Sequence, residues 1–330
     1  MILAIETSCD DTCAAVLDRD GRILSNVISS QGIHDRYGGV VPEVAARHHL
    51  ELVDVAVEDA LAQAGIDFDD VKLVAATQGP GLTGALLIGL SEAKAIAAAR
   101  NLPFAPVDHL QGHVAANFVA PDPFEPPFVC LIASGGHTLL ARVEDRQSFT
   151  VLGSTLDDAA GEAFDKGARM LGLGYPGGPA LSRLAEQGDP AAHRFPTAEG
   201  VAGLDFSFAG VKTSLLYAVR DREADGGLDD RTRADLAASY QHAIVEQLAA
   251  RTERALRETG LERLAIGGGV AANGLLRERL GRIGVDLHVP PRELCTDNAA
   301  MIASAARYVT PLLPGAYLAL DAYATGERGL

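Results

Sequence analysis

Four cysteines among 330 residues, with no Cys-x-x-Cys pair, leave no disulfide framework and point to a reducing compartment. Basic residues are outnumbered 28 to 44, and the net charge of -16 argues against holding nucleic acid by bulk electrostatics. No apolar run is both long and uncharged enough to span a bilayer. Ala85 to Ala99 comes nearest, and it carries Glu92 and Lys94. The N-terminus reads as a strand broken by Glu6, not as a signal peptide, so a soluble, cytoplasmic protein without membrane contact is expected. Three catalytic signatures are also missing. No Gly-Lys-Ser/Thr follows a glycine loop, which excludes a P-loop enzyme. No Gly-x-Ser-x-Gly elbow is present, so nothing indicates an acyl-serine. Leu110 follows His109, so a His-Glu-x-x-His peptidase would lack its general base.

What is present fits a globular chain of two lobes: 48% hydrophobic and 22% charged residues leave no room for a long disordered tail. Ile2 to Ile5, Cys13 to Asp18 and Arg22 to Ser29 read as strands, with a turn at Asp20-Gly21. Pro42 to Ala64 has helical periodicity, with His48 and His49 expected on its surface. Lys72 to Thr77 is a strand, and a long helix runs to Arg100. Between them, Gly79-Pro-Gly-Leu-Thr-Gly84 has the form of a dinucleotide fingerprint. It follows the fourth strand and contains Pro80, so close helix–sheet packing is the better account. Gly172-Leu-Gly-Tyr-Pro-Gly177 follows a helix and reads as a turn.

The opening pattern then returns. Phe128 to Ala133, Ser134-Gly-Gly-His-Thr138 and Leu139 to Val143 repeat the strand, polar loop and strand of residues 2–18. A doubled β-β-β-α-β-α unit is the plan of the actin and sugar-kinase superfamily. The expected fold is therefore α/β, two ribonuclease-H-like lobes with a nucleotide cleft between them. Lobe I would be 1–107, completed by about 300–330, and lobe II 108–299.

Two histidines in His109-Leu-Gln-Gly-His113 stand one helical turn apart and can reach one metal ion, with Asp297 of Cys295-Thr-Asp-Asn298 as the candidate third ligand. Two imidazoles and a carboxylate suit iron(II) or zinc. Asp10 and Asp11, in a loop between buried strands, can position a metal, a phosphate-bound ion or a nucleophile, or form a solvated turn. Ser134-Gly135-Gly136 suits an anion nest. Asp157 is expected to match the dipole of its own helix, whereas Asp165, further along, can accept from a substrate. Gly267-Gly-Gly269 leaves bare backbone for a flat base, with Asn273 able to bond a ribose or base edge. Arg251, Arg254, Arg257, Arg263, Arg277, Arg279 and Arg282 crowd one region, best explained as a solvated face laced with glutamate.

Taken together, I-E-T-S-C-D-D-T, Y-G-G-V-V-P-E, G-P-G-L-T-G, H-L-Q-G-H, S-G-G-H-T, G-E-A-F-D-K, Y-P-G-G-P, L-D-F-S-F-A-G-V-K-T, G-G-G-V-A-A-N and C-T-D-N occur in one order. From Ile2 to about Ala306 the chain resembles the TsaD family of tRNA N6-adenosine threonylcarbamoyltransferases, once named O-sialoglycoprotein endopeptidases. The resemblance implies transfer of threonylcarbamoyl from threonylcarbamoyl-AMP to N6 of the adenosine at tRNA position 37 in ANN-decoding tRNAs. It places one divalent metal, iron(II) first and zinc second, on His109, His113 and Asp297. It places the adenylate on Ile132, Ala133, Ser134, Gly135, Gly136, Asp165, Gly178 and Asn273, and Asp10 at the reacting centre. It also implies two bacterial partners, the inactive paralogue TsaB and the ATPase TsaE, with a homodimer when the chain is alone. The apolar helix Leu82 to Arg100, including Ala93 and Ala97, would serve both interfaces. Departures occur at Asp11, where many members carry Glu, and at Ser182, where some carry an acid. Asp321-Ala-Tyr-Ala-Thr-Gly-Glu-Arg328 replaces a basic tail. The competing functions are a superfamily phosphotransferase, a metallopeptidase and a non-catalytic scaffold paralogue.

Overall fold

The computed structural model describes residues 1–224 and 227–324. They divide into two compact units: Met1–Pro126 with Val143–Phe149 and the chain from Pro290, and Pro127–Arg142 with Thr150–Val289.

In the first unit β1 (Ile2–Glu6) is central and wholly buried, as its unbroken apolar run requires. It pairs antiparallel with β2 (Asp11–Leu17), which pairs antiparallel with β3 (Ile23–Ser30). On its other side lies parallel β4 (Leu73–Gly79), then parallel β5 (Phe104–Asp108). The order is β3-β2-β1-β4-β5. Helix α1 (Pro42–Ala64) starts with proline in its first turn and stops at Gly65, whose φ of 67° lets its N–H reach back to Ala62 and Leu61. Helix α2 (Thr83–Ala99) lies close to the sheet because Gly89 has no side chain: an added Cβ would stand 2.4 Å from Thr7 Oγ1. The short α3 (His109–Ala115) follows β5 directly.

The second unit repeats the plan. β6 (Phe128–Ala133), β7 (Thr138–Val143), β8 (Phe149–Ser154), β9 (Arg263–Gly267) and β10 (Asp286–His288) stand in the order β10-β9-β6-β7-β8. Renumbered from β6, this is the first sheet's order, so the duplication seen in sequence is a duplication of topology. The helices here are α4 (Ala160–Met170), α5 (Gly177–Ala185), α6 (Ala209–Ala224), α7 (Asp230–Thr259) and α8 (Gly274–Gly281). The chain then returns to the first unit through α9 (Arg292–Cys295) and α10 (Ala299–Ala306).

Several sequence expectations change. Helix α3, assigned by sequence to lobe II, belongs to the first unit, because its Gly112 lets α10 pack close, with Ile302 and Met301 against it. His49 is buried, not on the surface of α1. Asp157 does not serve its own helix, which starts later at Ala160. Its Oδ1 accepts from the N–H groups of Phe208 and Ala209, at the start of α6, at 2.7 and 3.2 Å. Ala93 and Ala97 of α2 are fully buried among Leu3, Ile5 and Val57, so they are core and cannot report on a partner. Small residues there let the helix approach its own sheet. The arginine cluster is mostly paired: Arg279 with Glu246 and Glu253, Arg254 with Glu258, and Arg282 with Glu278. Arg251 instead donates to the carbonyls of Asp205, Ala198 and Val201. The tail from Thr325 on lies outside the described residues, but Tyr323 donates its hydroxyl to Asp108 Oδ2 at 2.5 Å.

Candidate metal centre and adenylate site

Asp108 ends β5 and caps α3, accepting from Leu110 N and Gln111 N. That cap fixes where the helix begins and so where the two histidines point. His109 Nε2 lies 3.5 Å and His113 Nε2 3.3 Å from Asp297 Oδ1, in the turn before α10. A tetrahedral ion with ligands about 2.1 Å away sets its donor atoms roughly 3.4 Å apart, so each imidazole nitrogen stands at that spacing from Asp297, and all three donors lie within 4.8 Å of one another. His113 is fully buried, and neither ring nitrogen finds a hydrogen-bond partner among the described residues. Orphaned buried imidazole nitrogens beside a carboxylate are what metal ligands leave, and the donor set fits a divalent first-row ion.

Behind His109 stands Glu6, which the sequence reading used only to interrupt a strand. It is fully buried. Its Oε2 accepts from His109 Nδ1 at 3.0 Å and from the Thr77 hydroxyl at 2.5 Å, while Oε1 accepts from Ser8 N. Burial pushes the Glu6 carboxyl up, but His109 and Thr77 outweigh it and hold the carboxyl below the usual range. For His109, burial works against the charged form, and Asp297 and Glu6 outweigh it, raising the imidazole to about 9. Carboxylates that favour a proton on this ring also favour a cation beside it. Glu6 also fixes the ring's orientation by holding Nδ1 and leaving Nε2 toward Asp297.

Asp10 and Asp11 lie where β1 turns into β2, both half-buried. Glu6, Asp10, Asp11 and Asp297 all act on the buried Cys13 thiol, which brings the four carboxylates into one neighbourhood. Burial raises Asp11 to about 7 against a pull from the Ser30 hydroxyl, with Asp297, Asp10 and Glu6 adding to the rise. An unfolded chain loses that proton near 3.8, so between 3.8 and about 7 the folded state holds one the unfolded state lacks. Stability should therefore fall as pH climbs through that window. Asp11→Asn, which cannot ionise, should gain in melting temperature relative to the wild type between pH 5 and pH 8, with EDTA present. A difference that stays constant across that range would show that Asp11 does not carry this charge.

In the second unit Ile132 and Ala133 end β6, with Ile132 paired to Gly267 of β9. The backbone of Gly268, at φ 85°, presses on Ala133, and an added Cβ would stand 2.3 Å from the Ala133 carbonyl oxygen. Gly161, in the first turn of α4, donates to the Ser134 carbonyl at 3.0 Å. The Ser134 turn, the start of α4 and the triple glycine are thus packed side by side. Gly135 and Gly136 are exposed, with open space where side chains would be, which leaves their amides approachable. Asp165 Oδ1 accepts from Gly177 N and Gly178 N at 2.9 and 3.1 Å, holding the first turn of α5. Gly178 and Ser182, one turn apart, share a face of α5. The Ser182 hydroxyl donates to Gln241 Oε1, and Asn273 Nδ2 donates to both, at 3.0 and 2.9 Å. Asn273 Oδ1 caps α8 through Leu276 N. Its polar groups are therefore engaged within the chain, and Ser182 with Gln241 completes the patch.

A cavity of 370 Å³ opens there, lined by Ser182, Gln241, His242, Asn273, Glu186 and Glu278 among others. Gln241 and His242 were not found from sequence. They sit mid-helix in α7 without a motif, and only the approach of α5 and α8 gives them a site.

The family model described as tRNA N6-adenosine threonylcarbamoyltransferase matches residues 22–304. A relative of that name from Bordetella petrii is 51% identical over 312 residues, 93% of this chain and 90% of its own length. Another, from Symbiobacterium thermophilum, is 50% identical over 314 residues, 94% and 91% of the two chains. Among solved structures, component A of the (R)-2-hydroxyglutaryl-CoA dehydratase of Acidaminococcus fermentans superposes with a TM-score of 0.56 at 17% identity, covering 93% and 96%. HypF from T. kodakarensis gives 0.60 at 16% identity, covering 92% and 47%. These two share the doubled α/β fold alone. The relatives share half of all positions along nine-tenths of their length, and this chain belongs to the tRNA N6-adenosine threonylcarbamoyltransferase family.

Proposed function

We propose that the chain transfers threonylcarbamoyl from threonylcarbamoyl-AMP to N6 of the adenosine beside the anticodon in ANN-decoding tRNAs, releasing AMP. The observation that carries this reading is the His109–His113–Asp297 triad at metal spacing in a member of this transferase family. The donor is a mixed anhydride, already activated, so the protein needs no nucleophile of its own. A divalent metal on the triad, iron(II) or zinc, would supply Lewis-acid polarisation and a fixed point for donor oxygens. Gly135 and Gly136 offer exposed backbone N–H groups to the adenylate phosphate, while Ile132, Ala133 and Ser134, whose N–H is held by the His137 carbonyl, set the strand end and turn that present them. Asp165 sets Gly178, and Asn273 with Ser182 and Gln241 forms the polar patch for the nucleoside. Asp10 stands at the reacting centre, where N6 attacks the carbamoyl carbon, the bond to the phosphate oxygen breaks and N6 loses a proton.

TsaB and TsaE are the partners we assign, with a homodimer when neither is present. Helices α1 and α2 carry exposed Leu50, Val55 and Leu87, which suit a protein contact better than the buried Ala93 and Ala97. The charge of -16 fits a chain that needs partners to hold tRNA. No helix among the described residues is long and apolar enough to cross a membrane, and the cytoplasm is where a tRNA enzyme would act. The test incubates the protein with threonylcarbamoyl-AMP, unmodified tRNA, TsaB and TsaE, followed by nucleoside mass spectrometry. Modified adenosine is expected; its absence under every partner combination would overturn the assignment.

A further inference from the structure

Three buried side chains on the far side of the Asp10 turn form a hydrogen-bond relay that no step above uses. Val41 N–H lies 3.3 Å from His34 Nδ1, so that nitrogen must be the acceptor. A neutral ring then carries its proton on Nε2, which donates to Gln31 Oε1 at 3.1 Å. That settles the Gln31 amide: Nε2 donates to the Ala45 carbonyl at 3.2 Å and faces His49 Nδ1 at 3.3 Å. From the opposite end, His49 Nε2 lies 3.0 Å from the Cys9 carbonyl, which can only accept. His49 Nδ1 is therefore a lone pair, and it takes the Thr12 hydroxyl at 2.8 Å. Both ends give the same tautomer for His49, and one direction of donation runs from Val41 to Cys9. A charged His49 would set N–H against N–H at Gln31, and burial holds its imidazole below the usual range.

The relay ends on the backbone that presents Asp10. The Cys9 carbonyl is held by His49, and the Asp10 carbonyl accepts from Gln31 N at 3.1 Å. The peptide bonds before and after Asp10 are thus pinned by two members of one buried network. At its start lies the Tyr-Gly-Gly-Val-Val-Pro-Glu stretch, residues 37–43, which has no other assigned task.

We propose that His49, oriented by Gln31 and His34, is a positioning residue that sets the Asp10 turn for acyl transfer, and that residues 38–41 are tied to that turn through it. This rests on Asp10 standing at the reacting centre. In the metal-loaded protein His49→Leu keeps volume and removes the three contacts to Cys9, Thr12 and Gln31, whereas His49→Gln places an amide donor near the position of Nε2. For His49→Leu, kcat should fall about 10–100-fold with the KM for threonylcarbamoyl-AMP and the bound metal unchanged, since only the turn is misplaced. His49→Gln should recover most of that kcat. A merely structural histidine would lower melting temperature, metal content and kcat together, without rescue by Gln, and that result overturns the proposal. So does a kcat within about threefold of wild type in a folded His49→Leu protein. Ring-nitrogen NMR on the wild type needs no transferase assay and separates this inference from the proposed function. It should show His49 neutral at pH 7 with the proton on Nε2. A proton on Nδ1, or a charged ring, refutes the relay even in an active enzyme. An inactive wild type whose His49 shows the expected tautomer overturns the positioning role along with the proposed function and leaves the relay's geometry intact.

Discussion

His113→Ala is expected to leave the protein folded, free of stoichiometric metal and unable to modify tRNA, and His109→Ala and Asp297→Ala should match it. Each change removes one of three donors that lie within 4.8 Å of one another, which costs several kcal/mol of metal binding, roughly 100-fold or more in affinity. His113 has the least to lose otherwise, since neither ring nitrogen makes a hydrogen bond among the described residues. Glu6→Gln provides the graded comparison: the His109 Nδ1 partner survives as a neutral acceptor, and affinity should drop only about 10–100-fold. Elemental analysis and chelator competition measure the series, with circular dichroism to verify the fold. Full occupancy in any of the three alanine variants would remove that residue from the ligand set. A Glu6→Gln protein as empty as His113→Ala would mean Glu6 does more than orient a ring.

Gly268→Ala should be a severely damaging single methyl in the second unit. The residue sits at φ 85°, where side chains are strained, and the new Cβ would stand 2.3 Å from the Ala133 carbonyl oxygen. Backbone cannot step aside as a side-chain tip can, so β6 and the triple-glycine turn must separate. A loss of about 3 kcal/mol or more is expected in urea unfolding, together with loss of adenylate binding. Gly135→Ala, with open space around it, is the control and should unfold near the wild-type midpoint. Equal midpoints for the two variants would show that the Gly268 contact is not a constraint.

The doubled fold was legible because buried strands write themselves as apolar runs, and the same run, polar loop and run appear at Ile2 and again at Phe128. The histidine pair was legible because one helical turn separates its members. Glu6 and His49 were not, for one physical reason. Each is a polar residue whose partners lie far along the chain, and sequence spacing carries no record of such contacts. His49 follows His48 on an amphipathic helix, and only the packing of α1 on β2 selects which of the two turns inward. Asp157 misled for a related reason. An acid just before a helix looks like that helix's own cap, while its real partner is the start of α6, about fifty residues on. Ala93 and Ala97 looked like a sticky surface because apolar periodicity cannot say which surface it meets.

Tyr323 on Asp108 has a consequence for the order of events during synthesis. Asp108 caps the histidine helix with one oxygen and takes the tail hydroxyl with the other, while Asp297 arrives only shortly before the tail. Domains fold as units while the chain emerges from its N-terminal end, so β1 to β5 and both histidines are available early. The third ligand and the tyrosine that braces the helix cap come only after the whole second unit has been made. A ribosome-bound chain stopped before Asp297 would carry two imidazoles over a buried carboxylate and hold metal weakly. Stable metal binding would therefore wait on the synthesis of Asp297, after both sheets and the helices of the second unit have been made.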